Sequence, residues 1–221
     1  VLFLVNMADM QRHRFYALKS QISDSQITID GDESHHLARV LRLREGNRVS
    51  VFDGEGAEWE CEITGISKRE TALAVLNQLT DPVESLLDLT LAQSLIKGDK
   101  FDLVVQKATE LGVTRIVPLI TDHSDIKRAE ERAENRLQRW RRVSLEALKQ
   151  CGRRRLVEIA EPVSFGNFCE SNSANHNLIF SERGGLSLNE LAVRLQTANP
   201  LSISVASEGG WSERELQNAE A

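Results

Sequence analysis

A chain of 221 residues, 41% apolar and 27% charged, is long enough for one large domain or for a small domain followed by a larger one, and no apolar run approaches the ~20 residues that cross a bilayer. Three scattered cysteines, Cys61, Cys151 and Cys169, suggest neither a disulfide framework nor a CxxC metal site, so a soluble protein of the reducing cytoplasm is expected, with no membrane and no metal. The net charge of −6 argues against a nucleic-acid partner, but residues 94–160 hold 15 Lys and Arg against 10 Asp and Glu while residues 161–221 hold 3 against 8, which puts one basic stretch inside an acidic chain.

The apolar Val1-Leu2-Phe3-Leu4-Val5 has no preceding basic region and is too short for a signal-peptide core; it reads as an extension upstream of a start at Met7 or Met10. From about Phe15 to Asn77 short alternating segments are broken by turns: Ile27 to Ile29, Arg48 to Phe52, Ala57 to Ile66 and Thr71 to Leu76, with Asp30-Gly31, Asp53-Gly54 and Glu55-Gly56 between them. This pattern predicts a small β-barrel. One helix interrupts it, Glu33 to Leu43, with Leu37, Val40 and Leu41 at helical spacing and Asp32 or Ser34 as its cap.

Beyond a polar joint at Asp81-Pro82 the period changes to strand, helix, strand, helix. Leu87 to Leu95 reads as a strand, and Phe101, Val104, Val105, Ala108 and Leu111 then recur at helical spacing until Gly112. Strands are expected at Thr114 to Thr121, Asn177 to Ser181 and Leu201 to Ala206, a long helix from about Ala129 to Cys151 and a shorter one near Leu188 to Leu195. That alternation marks an α/β domain with a mainly parallel sheet.

Three segments carry candidate chemistry. Ser207-Glu208-Gly209-Gly210-Trp211-Ser212 follows a strand and precedes a helix, where two glycines let the backbone approach a ligand closely. Ser212 and Glu215 form an S-x-x-E capping box that fixes the helix start, although a Gly-Gly turn alone is also an ordinary strand-to-helix connection. Gln93 to Lys100 ends the first strand of this half, with Asp99 placed to cap the next helix and Lys97 and Lys100 near its N-terminus, where cations call for an anion. Glu146, Gln150 and, if the helix reaches it, Arg153 share one helix face at i, i+4 and i+7, while Leu137, Trp140, Val143 or Ser144 and Ala147 turn to the sheet. In the small half Arg12, Arg14, Arg39, Arg42 and Arg44 surround His35-His36; neighbouring helix positions point about 100° apart, so the two histidines do not make a metal site.

In this order His36-Leu37-Ala38-Arg39-Val40-Leu41-Arg42, Leu95 to Lys100, Lys107 to Val113, Arg139-Trp140, Glu146-Ala147, Gln150-Cys151-Gly152-Arg153 and Glu208-Gly209-Gly210-Trp211-Ser212 resemble the ribosomal RNA small subunit methyltransferase E family, over essentially the whole chain from Arg14 onward. The resemblance implies an RNA-binding PUA-like β-barrel over 10–78 and an α/β methyltransferase domain of the SPOUT class over 84–221 with a C-terminal trefoil knot, one of the rare exceptions to unknotted chains. It further implies a homodimer that transfers the methyl group of S-adenosylmethionine to N3 of a uridine in 16S ribosomal RNA of the small subunit. Arg153 and Gln150 are then the expected catalytic residues. Phe180, Ser181, Glu182, Ser207, Glu208, Gly209 and Gly210 are expected at the cofactor, and Arg14, His36, Arg39, Arg42, Lys97 and Lys100 at the RNA.

Two departures from the family pattern stand out. Ala206-Ser207 replaces the usual Gly-Pro before Glu-Gly-Gly, loosening a turn that Pro would stiffen. The chain stops at Ala221, before a Leu-Gly-x-Arg-Ile-Leu-Arg segment that in the family completes the adenosine pocket and the knot, so the second domain is expected to be incomplete at its C-terminus and to bind cofactor weakly until that segment is restored. The resemblance assigns no general base. A non-catalytic RNA-binding protein or a small-molecule α/β enzyme would share parts of the pattern, the first without need of the Gly-Gly loop and the second without need of the arginine-rich barrel.

Overall fold

The computed structural model describes residues 13–80, 84–124, 133–182, 185–187, 189–191, 195 and 199–220. The N-terminal stretch with Met7, Met10 and Arg12, the Asp81-Pro82 joint, the start of the long helix and much of the expected helix near Leu188 to Leu195 lie outside the described residues. The chain divides into two compact units, Val1–Glu84 with Lys149–Arg155, and Ser85–Leu148 with Leu156–Ala221.

In the first unit β1 (Arg14–Tyr16), β2 (Gln26–Asp30), β3 (Arg48–Phe52), β4 (Glu58–Ile66) and β5 (Glu70–Gln78) form one sheet in the order β1-β3-β4-β5-β2. β1 runs parallel to β3 and the other neighbours are antiparallel. Side chains alternate across a strand, so Ile27 and Ile29, Cys61 and Ile63, and Val49 and Val51 point to one side, where Phe15, Leu37 and Leu73 complete the core. The register of the β4–β5 hairpin shifts between Glu60 and Cys61 and between Ile63 and Gly65, irregularities of the kind that bend a strand and curl a sheet.

The expected helix at Glu33 to Leu43 is real but shorter and differently wound. α1 (Gly31–His35) passes directly into a π-helical turn over His36–Val40, in which Leu41 N–H donates to the His36 carbonyl at 3.0 Å. The wider turn rotates the following residues off the Leu37 face, which is why Leu37 is fully buried whereas Val40 is 62% exposed. Neither expected cap operates: the N-cap is Asp30, with no side-chain bond, and Ser34 is buried against Thr71, hydroxyl to hydroxyl at 2.8 Å.

An ion-pair network holds Lys149–Arg155 to the rest of this unit. Glu58 receives Arg14 through Nε at 2.8 Å and Nη2 at 3.2 Å, and Arg154 through Nε at 2.8 Å. Arg14 also donates to the carbonyls of Lys149 and Arg153 and lies 4.9 Å from the Phe52 ring centre. Glu84 accepts the backbone N–H groups of Arg154 and Arg155 on one oxygen and Arg153 Nε on the other, and Lys149 pairs with Glu33. Burial pushes the Glu58 and Glu84 carboxyls up, but the guanidiniums and N–H donors around them outweigh it and hold both below the usual carboxylate range.

In the second unit β6 (Leu89–Ser94), β7 (Arg115–Ile120), β8 (Glu158–Ile159), β9 (Val163–Ser164), β10 (His176–Phe180) and β11 (Leu201–Val205) form an all-parallel sheet in the order β10-β11-β6-β7-β8, with β9 also paired to β7. The helices are α2 (Lys100–Glu110), α3 (Ala133–Cys151), α4 (Phe165–Ser171) and α5 (Glu213–Glu220). α3 buries Leu137, Trp140, Ser144 and Ala147 as its spacing predicts. Trp140 meets Phe101 of α2 at 4.4 Å between ring centres and Ser144 meets Thr109 at 3.0 Å; the ring pair adds about 0.5–1.5 kcal/mol beyond its area burial. Leu111, expected on the buried face of α2, is 82% exposed: it is the C-cap, and Gly112 at φ 99° turns the chain away.

Candidate functional site

The strand order places a switch point in the second unit. From β6 the chain moves outward to β7, β8 and β9, then crosses to the far side for β10 and returns through β11 to the flank of β6. In open parallel sheets ligands bind outside the carboxyl ends of the strands at such a point. The segments that leave those ends are 95–99 after β6, 121–124 after β7, 181–182 after β10 and 206–212 after β11. They contain Lys97, Ser181, Glu182 and Ser207 to Gly210, with Phe180 ending β10 and Lys100 opening α2 beside them, so the structure brings to this end of the sheet the residues expected at the cofactor and two of those expected at the RNA.

The 206–212 loop is held from three sides. Buried Gln93 donates to the Ala206 carbonyl at 3.2 Å, tying the ends of β6 and β11. Ser207 Oγ donates to the His123 carbonyl at 3.1 Å, and Trp211 Nε1 donates to the Phe180 carbonyl at 2.9 Å while its ring packs on Phe165 at 4.5 Å. A Cβ placed on Gly209 would stand 2.7 Å from His123 Cβ, closer than side-chain carbons pack. Gly210 has φ 72°. Both glycines are therefore needed where they stand, one for close approach and one for backbone conformation. The capping box is present as expected: Ser212 N–H donates to Glu215 Oε2 at 2.9 Å and Glu215 N–H to Ser212 Oγ at 3.3 Å. Glu215 is buried and its other oxygen accepts the Asp122 N–H, so the start of α5 is locked to the turn after β7.

Several charges in these loops are paired. Lys100 Nζ lies 2.7 Å from Glu208 Oε1, and that bond, with the nearby charge of Lys97, holds the Glu208 carboxyl below its usual range. Ser212 Oγ and Arg214 do the same for Asp122. Asp99 occupies the N-cap of α2 but its side chain does not cap; it pairs with Arg139 at 2.6 Å instead. Among the described residues no cluster of His, Cys, Asp and Glu is arranged to hold a metal ion.

The two residues expected to be catalytic fall in the other unit. α3 ends at Cys151 and Gly152 takes φ 85°, so Arg153 is not the third member of a helix face with Glu146 and Gln150; it is 5% exposed and bonded to Glu84. Gln150 is exposed on the last turn. Arg14, expected at RNA, sits in the Glu58 network. His36 packs edge-on against Phe15 with ring centres 6.3 Å apart, and it is His35 that opens onto the surface.

That surface is a basic cleft of the first unit, between α1 with its π turn and the β4–β5 hairpin. His35, Arg39, Arg42, Arg44, Lys68 and Arg69 line it over a floor of Ala38, Leu43 and Ile66. Arg42 is held at φ 56°, a left-handed conformation uncommon for a residue with a side chain and of a kind that clusters at functional sites. Arg39 and Arg42 were legible from sequence. Lys68 and Arg69 were not, because a basic pair in a hairpin turn reads as solvated surface until the fold sets it opposite a helix.

Comparison with known proteins agrees with both halves. The family model for an RNA methyltransferase domain matches residues 83–221, and that for an RNA methyltransferase PUA domain matches residues 29–76. Ribosomal RNA small subunit methyltransferase E of Synechocystis sp. is 32% identical over 210 residues, 94% of this chain and 67% of that one. Its counterpart in Bacillus subtilis is 27% identical over 215 residues, 94% of this chain and 84% of the other. The crystal structure of ribosomal RNA small subunit methyltransferase E from Neisseria gonorrhoeae, bound to S-adenosyl methionine, superposes with a TM-score of 0.86 at 29% identity, covering 95% of this chain and 86% of that one. A PUA-type unit with a basic cleft, a parallel-sheet unit with a glycine loop at its switch point and these matches along the whole chain lead to one assignment: the chain belongs to the ribosomal RNA small subunit methyltransferase E family of RNA methyltransferases.

Proposed function

We propose that this protein methylates N3 of a uridine in 16S ribosomal RNA of the small subunit, using S-adenosylmethionine as methyl donor. The observation that carries the reading is the Glu208-Gly209-Gly210 loop, held at the switch point of a parallel sheet and pressed so closely on His123 that a side chain on Gly209 has no room. Ser207 to Gly210 and Phe180 to Glu182 would form the cofactor side, where the close approach at Gly209 and the positive φ of Gly210 hold the backbone in a sharp turn. S-adenosylmethionine supplies an activated methyl group, so the protein's part is to orient the uracil nitrogen and to manage its proton.

The basic cleft of the first unit is the RNA-docking surface in this reading, with Arg39 and Arg42 against phosphates. Lys97 and Lys100 serve RNA beside the cofactor loop in this reading, and Gln150 and Arg153 are assigned to the target base by the family resemblance alone, Arg153 being held by Glu84. The trefoil knot, the homodimer and the cytoplasmic location belong to the same reading through the family resemblance, and the return of β11 between β10 and β6 is compatible with a threaded C-terminal region. Small subunits lacking the modification, incubated with protein and labelled S-adenosylmethionine, should take label into 16S RNA. Cofactor binding without transfer to any ribosomal RNA substrate would contradict the assignment.

A further inference from the structure

Methyl transfer to N3 needs an acceptor for the uracil proton, and His123 stands beside the cofactor loop with no part in the steps above. This residue lies in the turn after β7, which is closed by Thr121 and Ser124 through three mutual bonds of 2.8–3.1 Å and fastened to β6 by Ser94 Oγ to Thr121 Oγ1 at 2.6 Å. The His123 carbonyl accepts from Ser207, its Cβ rests on Gly209 and its Nδ1 lies 3.2 Å from the Gly210 carbonyl. The imidazole is therefore seated on the cofactor loop while its ring remains exposed.

The Gly210 carbonyl can only accept, so Nδ1 is the donor and carries the hydrogen. In the neutral ring that leaves Nε2 with a free lone pair, the state in which imidazole acts as a base near neutral pH. Three acidic groups around it have other partners, although Asp122 also feels the charge on the imidazole. Asp122 is bonded to Ser212 and Arg214, Glu208 to Lys100, and Glu215 to the N–H groups of Ser212 and Asp122. Hydrogen bonds from Ser212 and Lys100 keep Asp122 and Glu208 ionised into acid, which makes them weak bases.

We propose that His123 is the proton acceptor of the reaction, its Nε2 taking the N3 hydrogen of the target uracil as the methyl group is transferred. The proposal rests on N3 being the atom methylated. The N–H electron pair becomes the N3–CH3 bond, the S–CH3 pair returns to sulfur to give the neutral thioether, the proton moves to Nε2, and the imidazolium then releases it to water.

The test uses His123→Asn, whose Nδ2 can keep the bond to Gly210 but offers no base, and His123→Ala. Both should lose roughly 100-fold in kcat, the scale of one general base, and His123→Asn, which keeps the bond to Gly210, should do so with unchanged affinity for S-adenosylhomocysteine and for RNA. The acid limb of the wild-type pH–rate profile should disappear in both, and added imidazole should restore part of the His123→Ala rate. Nitrogen NMR of the protein without ligands should show Nδ1 protonated and Nε2 bare in the neutral ring. Turnover of His123→Asn within threefold of wild type, a loss matched by weaker cofactor binding and not rescued by imidazole, or the opposite tautomer would each overturn the proposal. A wild-type product methylated at a position other than N3 would instead overturn the functional reading on which it rests.

Discussion

Replacing Glu58 by Gln removes a charge that Arg14 and Arg154 share. The Glu58 side chain is 6% exposed, Arg14 13% and Arg154 8%, so Glu58→Gln leaves two largely desolvated guanidiniums around a neutral amide that can accept from only one oxygen. Breaking a buried pair by removing one partner costs about 3–5 kcal/mol, against about 0–1 kcal/mol for an exposed pair. Urea denaturation followed by the fluorescence of Trp59, in β4 beside Glu58, should report that loss as a lower midpoint with an unchanged slope. The pH dependence gives a second check. The Glu58 carboxyl titrates lower folded than unfolded, so its contribution is complete above the unfolded value of about 4.3 and is lost as pH falls through the folded value. Wild type should weaken over that acid window, and Glu58→Gln should weaken less steeply, with Glu84 among the groups that supply the remainder. A loss below about 1 kcal/mol in the variant, or an acid dependence as steep as wild type, would refute the view that this network holds Lys149–Arg155 in place.

Gly209→Ala should weaken S-adenosylmethionine binding about 5- to 150-fold by calorimetry, since overpacking typically costs about 1–3 kcal/mol; unchanged affinity would mean that the loop and His123 separate freely. Arg39→Glu combined with Arg42→Glu should lower RNA affinity and reduce its salt slope by about two, with cofactor binding intact; an undiminished slope would place docking outside the cleft. Arg153→Ala should destabilise the fold by about 1–3 kcal/mol because Glu84 loses its charged partner, whereas Gln150→Ala should fold as wild type and lose methyl transfer. Full turnover in Gln150→Ala would remove it from the target-base side.

What could be read in the sequence was what short-range chemistry dictates. The two periods, of strands in the first half and of alternating strand and helix in the second, depend on neighbours a few residues away, as does the Ser212–Glu215 capping box, and these survive in the structure. The 206–212 turn was legible as a sharp strand-to-helix connection because two adjacent glycines and a capping box stand between a strand and a helix, whereas its place at the cofactor was implied by the family resemblance. Long-range pairing was not. Glu58 meets Arg14 and Arg154 across 44 and 96 residues, and Glu84 meets Arg153 across 69, so an arginine that looked available for RNA or catalysis proves to be held by a carboxylate that no local pattern connects to it. His123 was overlooked for the same reason, since it meets the glycine loop 87 residues later. The two-residue strands β8 and β9 are too short for any period, and the π turn at His36–Val40 breaks the phase on which the burial of Val40 was inferred.

The product of the proposed reaction can be identified directly. Small subunits lacking the modification, treated with this protein and S-adenosylmethionine, should yield 16S RNA whose digestion to nucleosides releases 3-methyluridine by mass spectrometry against standards of its isomers. Methyl found only on carbon 5 or on the ribose oxygen, or in large-subunit RNA, would contradict the central claim that this chain is a uridine-N3 methyltransferase of the small subunit.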